Sequence, residues 1–233
     1  MTVTQNSRPT RAEASDVYNA VLDGADAVML SGESSVGKHP VEAVSIMDNI
    51  LRVAQGNMPR RDPVDYDSSV LAVTETVCHA AYTIASEFQN VDYKGKIIAI
   101  TESGRAARLI SKYRPALPIL AFSASLRTVR ELALVWGVRA HHLPEIYNLP
   151  LEERAIKAID CGLKIGYLSF SDNKVCVLSS SQFEASGYFT GVYDLSRLIE
   201  AGMITNDDDE PSELQAVTRE KRVSHSLSTS TRI

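Results

Sequence analysis

The sequence predicts an α/β protein: a mainly parallel, three-layer sheet domain preceded by one helix–strand–loop–helix unit. Two observations carry that fold class. Short apolar runs such as "KIIAIT" and "LPILAFS" alternate with amphipathic stretches of helical period, the grammar of βαβ units and a parallel sheet. Those runs are nearly continuous rather than alternating, as expected of strands covered on both faces. A third observation divides the chain: "GNMPRRDPVDYDSS" (56–69) has prolines and aspartates and no periodicity, so it reads as a linker.

The elements follow in order. Thr10 and Glu13 have capping-box spacing, so a helix should start near Arg11. Val17, Val21, Tyr18 and Leu22 repeat at four-residue spacing, and Gly24 stands where a left-handed C-terminal residue is wanted. Residues 25–31 form an apolar run that reads as a buried strand, and the polar loop "SGESSVGKH" leads to Pro40 at the first position of the next helix. That helix carries Val41, Val44, Ile46, Ile50 and Leu51. Beyond the linker, Val73, Val77, Ala81, Ile84 and Phe88 make one helical stripe. Strands are predicted over 96–101, 117–123, 137–142, 174–180 and 189–195, with helices over 104–113, 126–136 and 151–163. The resulting organisation is 1–56, a linker at 57–69, the α/β domain at 70–204, and a polar tail at 205–233 expected to be disordered. Within that tail "REKRVSHS" reads either as a kinase-recognised serine or as an ordinary surface tail.

Composition narrows the function classes. The chain has 233 residues, 44% of them apolar, and a formal net charge of −5 without a basic block in the folded part, which argues against nucleic acid and anionic membranes as partners. Acidic metabolites would need a local cationic pocket. Cys78, Cys161 and Cys176 are odd in number and widely spaced, so they read as thiols in a reducing, cytoplasmic setting rather than as a disulfide framework. No apolar run approaches bilayer length.

Two stretches could carry chemistry. "SGESSVGKHP" places Ser31, Glu33 and Lys38 at the carboxyl end of the first predicted strand, where α/β barrels put their active sites; the alternative is a plain polar connection. "ITESGRAARLISKYRP" runs an apolar strand into Thr101, Ser103 and Gly104 at a helix start, with Arg105 and Arg108 following. Hydroxyls, amides and the helix dipole there suit a phosphate, and Glu102 opposes one unless it points away. The alternative is a Ser-capped helix with surface arginines. His141 and His142 are adjacent and would face opposite sides of a strand, and the other histidines are isolated, so no metal site is expected. No G-x-S-x-G, Walker or G-x-G-x-x-G pattern is present.

Taken whole, "RPTRAEASDVYNAVLDGADAVMLSGES..GKHPVEA" closely resembles the last part of the catalytic barrel of pyruvate kinase. "TESGRAARLISKYRP.LPILAFS" and "SSSQFEASGYFT" follow in the order of that family's effector-binding C-terminal domain. The resemblance implies that the first unit is the closing βα unit of a (β/α)8 barrel. It places Ser31, Glu33 and Lys38 in a loop on the nucleotide side of the active site, and Arg8 and Arg11 near a subunit contact. It implies that Thr101, Ser103, Gly104 and Arg105 hold a phosphate of a sugar-phosphate effector such as fructose 1,6-bisphosphate, with Gln182, Ser186 and Gly187 in the loop that closes over it. Glu102, and the lack of an arginine in "SSSQFEASGY", make a monophosphate or no effector as suitable as a bisphosphate.

The resemblance further implies that Mg²⁺ and K⁺ serve the complete enzyme through ligands on earlier barrel strands, none of which precedes Met1, so no metal and no catalytic residue is expected in this chain. Phosphoryl transfer depends on positioning and charge neutralisation, so the chain is expected to be inactive alone. A homo-oligomer, or the rest of the barrel, is the expected partner. A reading of another class is a free-standing, non-catalytic module that binds a phosphorylated metabolite.

Overall fold

The computed structural model describes residues 8–58, 72–91, 94–180 and 188–204. Most of the predicted linker, residues 181–187 and the predicted tail lie outside them. Two compact units divide the chain after Leu195. The second contributes residues 196–204 to the description, the end of a helix Leu195–Glu200 among them.

The first helix, α1 (Arg11–Asp23), is set by its own ends. The Thr10 hydroxyl accepts from the Glu13 amide at 3.3 Å, and the Glu13 carboxylate accepts from the Thr10 amide at 2.8 Å, the reciprocal capping predicted. Gly24, at φ +99°, closes the other end. A single turn, α2 (Gly32–Ser35), lies inside the stretch read as loop, and α3 (Pro40–Gly56) begins at its proline as expected. Helices α1 and α3 pack together, burying Val17, Val21, Ala43, Met47 and Ala54.

The predicted strand at 25–31 is not formed. Residues 25–31 belong to no sheet, and Met29 is 86% exposed. A strand exists by its ladder, and no strand among the described residues lies beside this run.

Beyond residue 71 the neighbours are present. After α4 (Ala72–Asn90) come β1 (Gly95–Ile100), α5 (Arg105–Lys112), β2 (Ile119–Ser123), α6 (Leu126–Leu132) and β3 (Val138–His142). A short 3₁₀ turn at Ile146–Asn148 leads to α7 (Leu151–Lys164), β4 (Lys174–Ser180) and β5 (Tyr188–Asp194). The sheet order is β3-β2-β1-β4-β5, parallel except for β5. Ile97, Ala99, Ile119, Ala121, Cys176 and Leu178 cluster with Cys78, Ala81, Ala85 and Phe88 of α4, with Ala106, Ala107 and Ile110 of α5, and with Leu132 of α6. By strand alternation Ile98, Ile100, Leu120, Phe122, Val175 and Val177 face the other layer, where α7 lies against β1 and β4. Each such side chain contributes about 1.5–3 kcal/mol by leaving water, which is why this region supplies the core.

Two details differ from expectation. In α4 the buried face takes Thr74 and Glu75 in place of Val73, which is exposed, because Glu75 accepts from Lys112 Nζ and from the Tyr113 hydroxyl. Helix α6 stops four residues early. The Trp136 carbonyl accepts from Ser111 Oγ at 2.6 Å, and the chain turns at Gly137 (φ +68°) into β3.

Candidate functional site

The strand order reverses between β1 and β4, since the chain runs from β1 outward through β2 to β3 and then returns to the opposite side of β1. In open α/β sheets such a switch point leaves a crevice at the strands' carboxyl ends, where ligands bind. Ile100 is in register with Ser179, so Thr101 leaves the end of β1 beside the last residues of β4. The Thr101–Ser103–Gly104–Arg105 turn singled out in the sequence therefore lies at this point. Gln182, Ser186 and Gly187 fall outside the described residues.

The turn is built from several directions. The Thr101 amide donates to the Phe122 carbonyl at 2.9 Å, prolonging the β1–β2 ladder, and the buried Thr101 hydroxyl accepts from the Gly104 amide at 3.1 Å. Ser123 Oγ and Thr128 Oγ1 both donate to the Glu102 carbonyl, at 3.2 and 2.8 Å. Gly104, at φ +78°, is the cap of α5. The positive φ is what favours glycine; a Cβ there would also crowd Leu132 and Thr128 at 3.2 Å and stand 2.9 Å from Arg108 Nη1, the movable end of a long side chain. The cap residue is Gly104, and Ser103 Oγ accepts from the Arg105 amide at 3.4 Å.

Charge at the turn is mixed. Arg105 is exposed, and Arg108 donates to the Ser103 carbonyl at 3.0 Å while pairing with Glu131 at 3.3 Å. Glu131 is also held by Arg127 Nε at 2.8 Å; Arg127 first, and then Arg108, draws the Glu131 carboxyl below the usual carboxylate range. Glu102 Oε2 is buried and receives no hydrogen bond, so that oxygen is withdrawn from the solvent side. The arrangement can present hydroxyls, amides and a guanidinium to an oxyanion. The thiols of Cys78 and Cys176 are pushed up to about 12, chiefly by burial, and are inert. Sequence reasoning missed Ser123 and Thr128, which brace the turn from β2 and α6; nothing local marks residues whose role is set by the sheet.

The other predicted site residues are placed apart from this turn. Glu33 is buried, and its carboxylate accepts from the Ser31 amide at 2.9 Å, folding the loop onto itself; Ser31 and Lys38 are exposed. A Cβ on Gly37 would meet the Glu33 carbonyl at 2.3 Å, so the loop closes tightly. Arg8 is exposed, and Arg11 lines a groove of about 460 Å³ between α1 and α3 with Tyr18, Asn49 and Ile50. Among the described residues no group of three or more His, Cys, Asp or Glu side chains could hold a metal ion, and no helix is long and apolar enough to cross a membrane.

Two family models match: the alpha/beta domain of pyruvate kinase over residues 75–189 and its barrel domain over residues 1–44. The chain belongs to the pyruvate kinase family. The pyruvate kinase of Eimeria tenella is 44% identical over 179 residues, covering 75% of this chain and 33% of the relative. That of Geobacillus stearothermophilus is 37% identical over 170 residues, covering 72% and 28%. A crystal structure of a pyruvate kinase from Cryptosporidium parvum superposes with a TM-score of 0.65 at 30% identity, covering 83% of this chain and 38% of that one. The chain therefore spans about a third of the length of these pyruvate kinases, and it carries their C-terminal portion: part of the barrel domain followed by the α/β domain. The run at 25–31 lies within the barrel match, and in a parallel barrel a strand is made by the strands on either side.

Proposed function

We propose that these residues serve a cytoplasmic pyruvate kinase as its regulatory α/β domain and the adjoining barrel segment. In this reading they do not transfer a phosphoryl group from phosphoenolpyruvate to ADP by themselves. The turn of Thr101, Ser103, Gly104 and Arg105 takes the phosphate of a small metabolite, and Ser31, Glu33 and Lys38 border the nucleotide once the rest of the barrel surrounds them. The observation that carries the reading is the position of that turn, at the sheet's switch point and braced by Thr101, Ser123 and Thr128.

Phosphoryl transfer needs metal ions and cations that neutralise developing charge. The described residues offer no side-chain cluster fit for Mg²⁺, so no step of the transfer is assigned to them. Mg²⁺ and K⁺ belong, in this reading, to the other barrel strands. Glu102 has one carboxylate oxygen buried away from the solvent side, so in this reading a monophosphate suits the turn as well as a bisphosphate.

Calorimetric titration of the purified chain with glucose 6-phosphate and with fructose 1,6-bisphosphate tests this reading. One saturable site, abolished by Arg105→Glu, is expected; binding that survives the charge reversal contradicts it. A coupled assay with phosphoenolpyruvate, ADP, Mg²⁺ and K⁺ should show no pyruvate above the protein-free rate.

The α/β domain's own helices close its core, which favours a second reading, a free-standing phosphometabolite-binding module. Residues 72–204 expressed alone would then be monomeric and melt higher with ligand. The first reading expects the whole chain to associate, because Val36, Val41, Val44 and Val53 are exposed on the barrel segment.

A further inference from the structure

Arg114 is the one non-glycine residue with a positive φ among the described residues, at +52°. Its position explains the backbone: Tyr113 closes α5, and the Arg114 amide donates back to the Ser111 carbonyl at 2.9 Å, so Arg114 occupies the left-handed place after a helix that glycine or asparagine usually takes. Pro115 follows and prevents the helix from continuing. An arginine there is strained. A residue chosen only for the turn would be glycine.

The side chain is what the position gains. It is 7% exposed, lies with its guanidinium 5.0 Å from the Trp136 ring, and reaches out of the α/β domain to the end of α1. There Nη2 donates to the Gly24 carbonyl, and Nη1 stands 2.6 Å from Asp26 Oδ1. Asp26, Arg108, Ser111, Lys112, Arg114 and Val135 border a cleft of about 340 Å³ at this junction. Gly24 caps α1, and Asp26 opens the run that leads to Ser31, Glu33 and Lys38.

We infer that Arg114 is a positioning residue, a clamp that fixes the barrel segment on the α/β domain by holding Gly24 and Asp26, and thereby sets where the 31–38 loop stands. The guanidinium suits this task. It donates in one direction, pairs in a second and stacks in a third, which an ammonium cannot do. The clamp does not depend on whether the Thr101 turn binds phosphate.

Trp136, the chain's single tryptophan, reports on the clamp because it stacks on Arg114 and belongs to the α/β domain. Asp26 is half exposed, so Asp26→Asn leaves the core intact. Releasing the guanidinium should make Trp136 about twofold more susceptible to acrylamide quenching in Asp26→Asn. In Arg114→Gln the further change Asp26→Asn should have no effect on quenching, because the two residues act through one contact. Arg114→Lys should restore part of the response to Asp26→Asn, through charge alone. Arg114→Gly, which relieves the backbone, should behave as Arg114→Gln. Unchanged quenching in Asp26→Asn, or a full response to Asp26→Asn in the Arg114→Gly background, would overturn the inference. Should Arg114→Gln not fold, the Asp26→Asn and Arg114→Lys proteins decide it.

Discussion

Two stretches of this chain are written in the same local grammar and end differently. "ADAVMLSGESSVGKHPVEA" and "KIIAITESGRAARLI" each run from an apolar segment through a small, polar turn into a helix. The second becomes β1, flanked by β2 and β4, and its residues 97–100 are fully buried. The first has no strand beside it among the described residues and stays outside any sheet, with Met29 in solvent. A helix satisfies its own backbone, whereas a strand must find partners elsewhere in the chain. The helices on both sides of the unpaired run form regardless, because their caps and spacing are local.

The sharpest way to break this comparison is to shorten one side chain in each region. Leu178→Ala, in the sheet, should cost about 2–5 kcal/mol in urea unfolding, and Met29→Ala within about 0.5 kcal/mol of zero. Equal effects would mean that the barrel segment has a core of its own. Next comes the phosphate turn: Gly104→Ala forces a Cβ onto Arg108 and Thr128 at φ +78°, and a loss of about 1–3 kcal/mol is expected in the same unfolding experiment.

Smaller effects sharpen the electrostatic side. The Glu75 carboxyl is lowered first by the hydrogen bond from Lys112 and is opposed by burial. Because the folded value lies below the unfolded one, its stabilisation is complete above the ordinary carboxylate pKa of about 4.3 and fades as pH falls through the folded value. Glu75→Gln should therefore destabilise by about 1–2 kcal/mol at neutral pH, with the gap to the parent protein closing in acid; a gap that widens in acid reverses the sign and refutes the assignment. Smallest of all, Thr10→Ala should cost about 1 kcal/mol through the α1 cap, while Arg52→Ala, which breaks an exposed pair with Asp48, should change the unfolding midpoint negligibly.

What was legible in the sequence follows the same division. Thr10, Glu13, Gly24 and Pro40 give the ends of α1 and the start of α3 to the residue, because each acts on its own helix. The strands from β1 to β5 are placed within about two residues by their apolar runs, and the Thr101–Arg105 turn by its small residues beside cations. Residues 25–31 mislead because an apolar run states that burial is wanted, not that a neighbour is present. Arg114 was invisible for a related reason. Beside Pro115 it reads as a plain helix stop, and its role depends on Gly24 and Asp26, some ninety residues earlier. Ser123 and Thr128 likewise acquire their roles only when β2 and α6 are laid beside the turn.

Native-state amide hydrogen exchange, resolved along the chain, tests the central claim most directly, since it compares the two apolar runs in one sample. Amides of residues 97–100 should exchange only through global unfolding, and those of residues 27–30 on the order of a thousandfold faster. Comparable protection in the two runs would contradict the account.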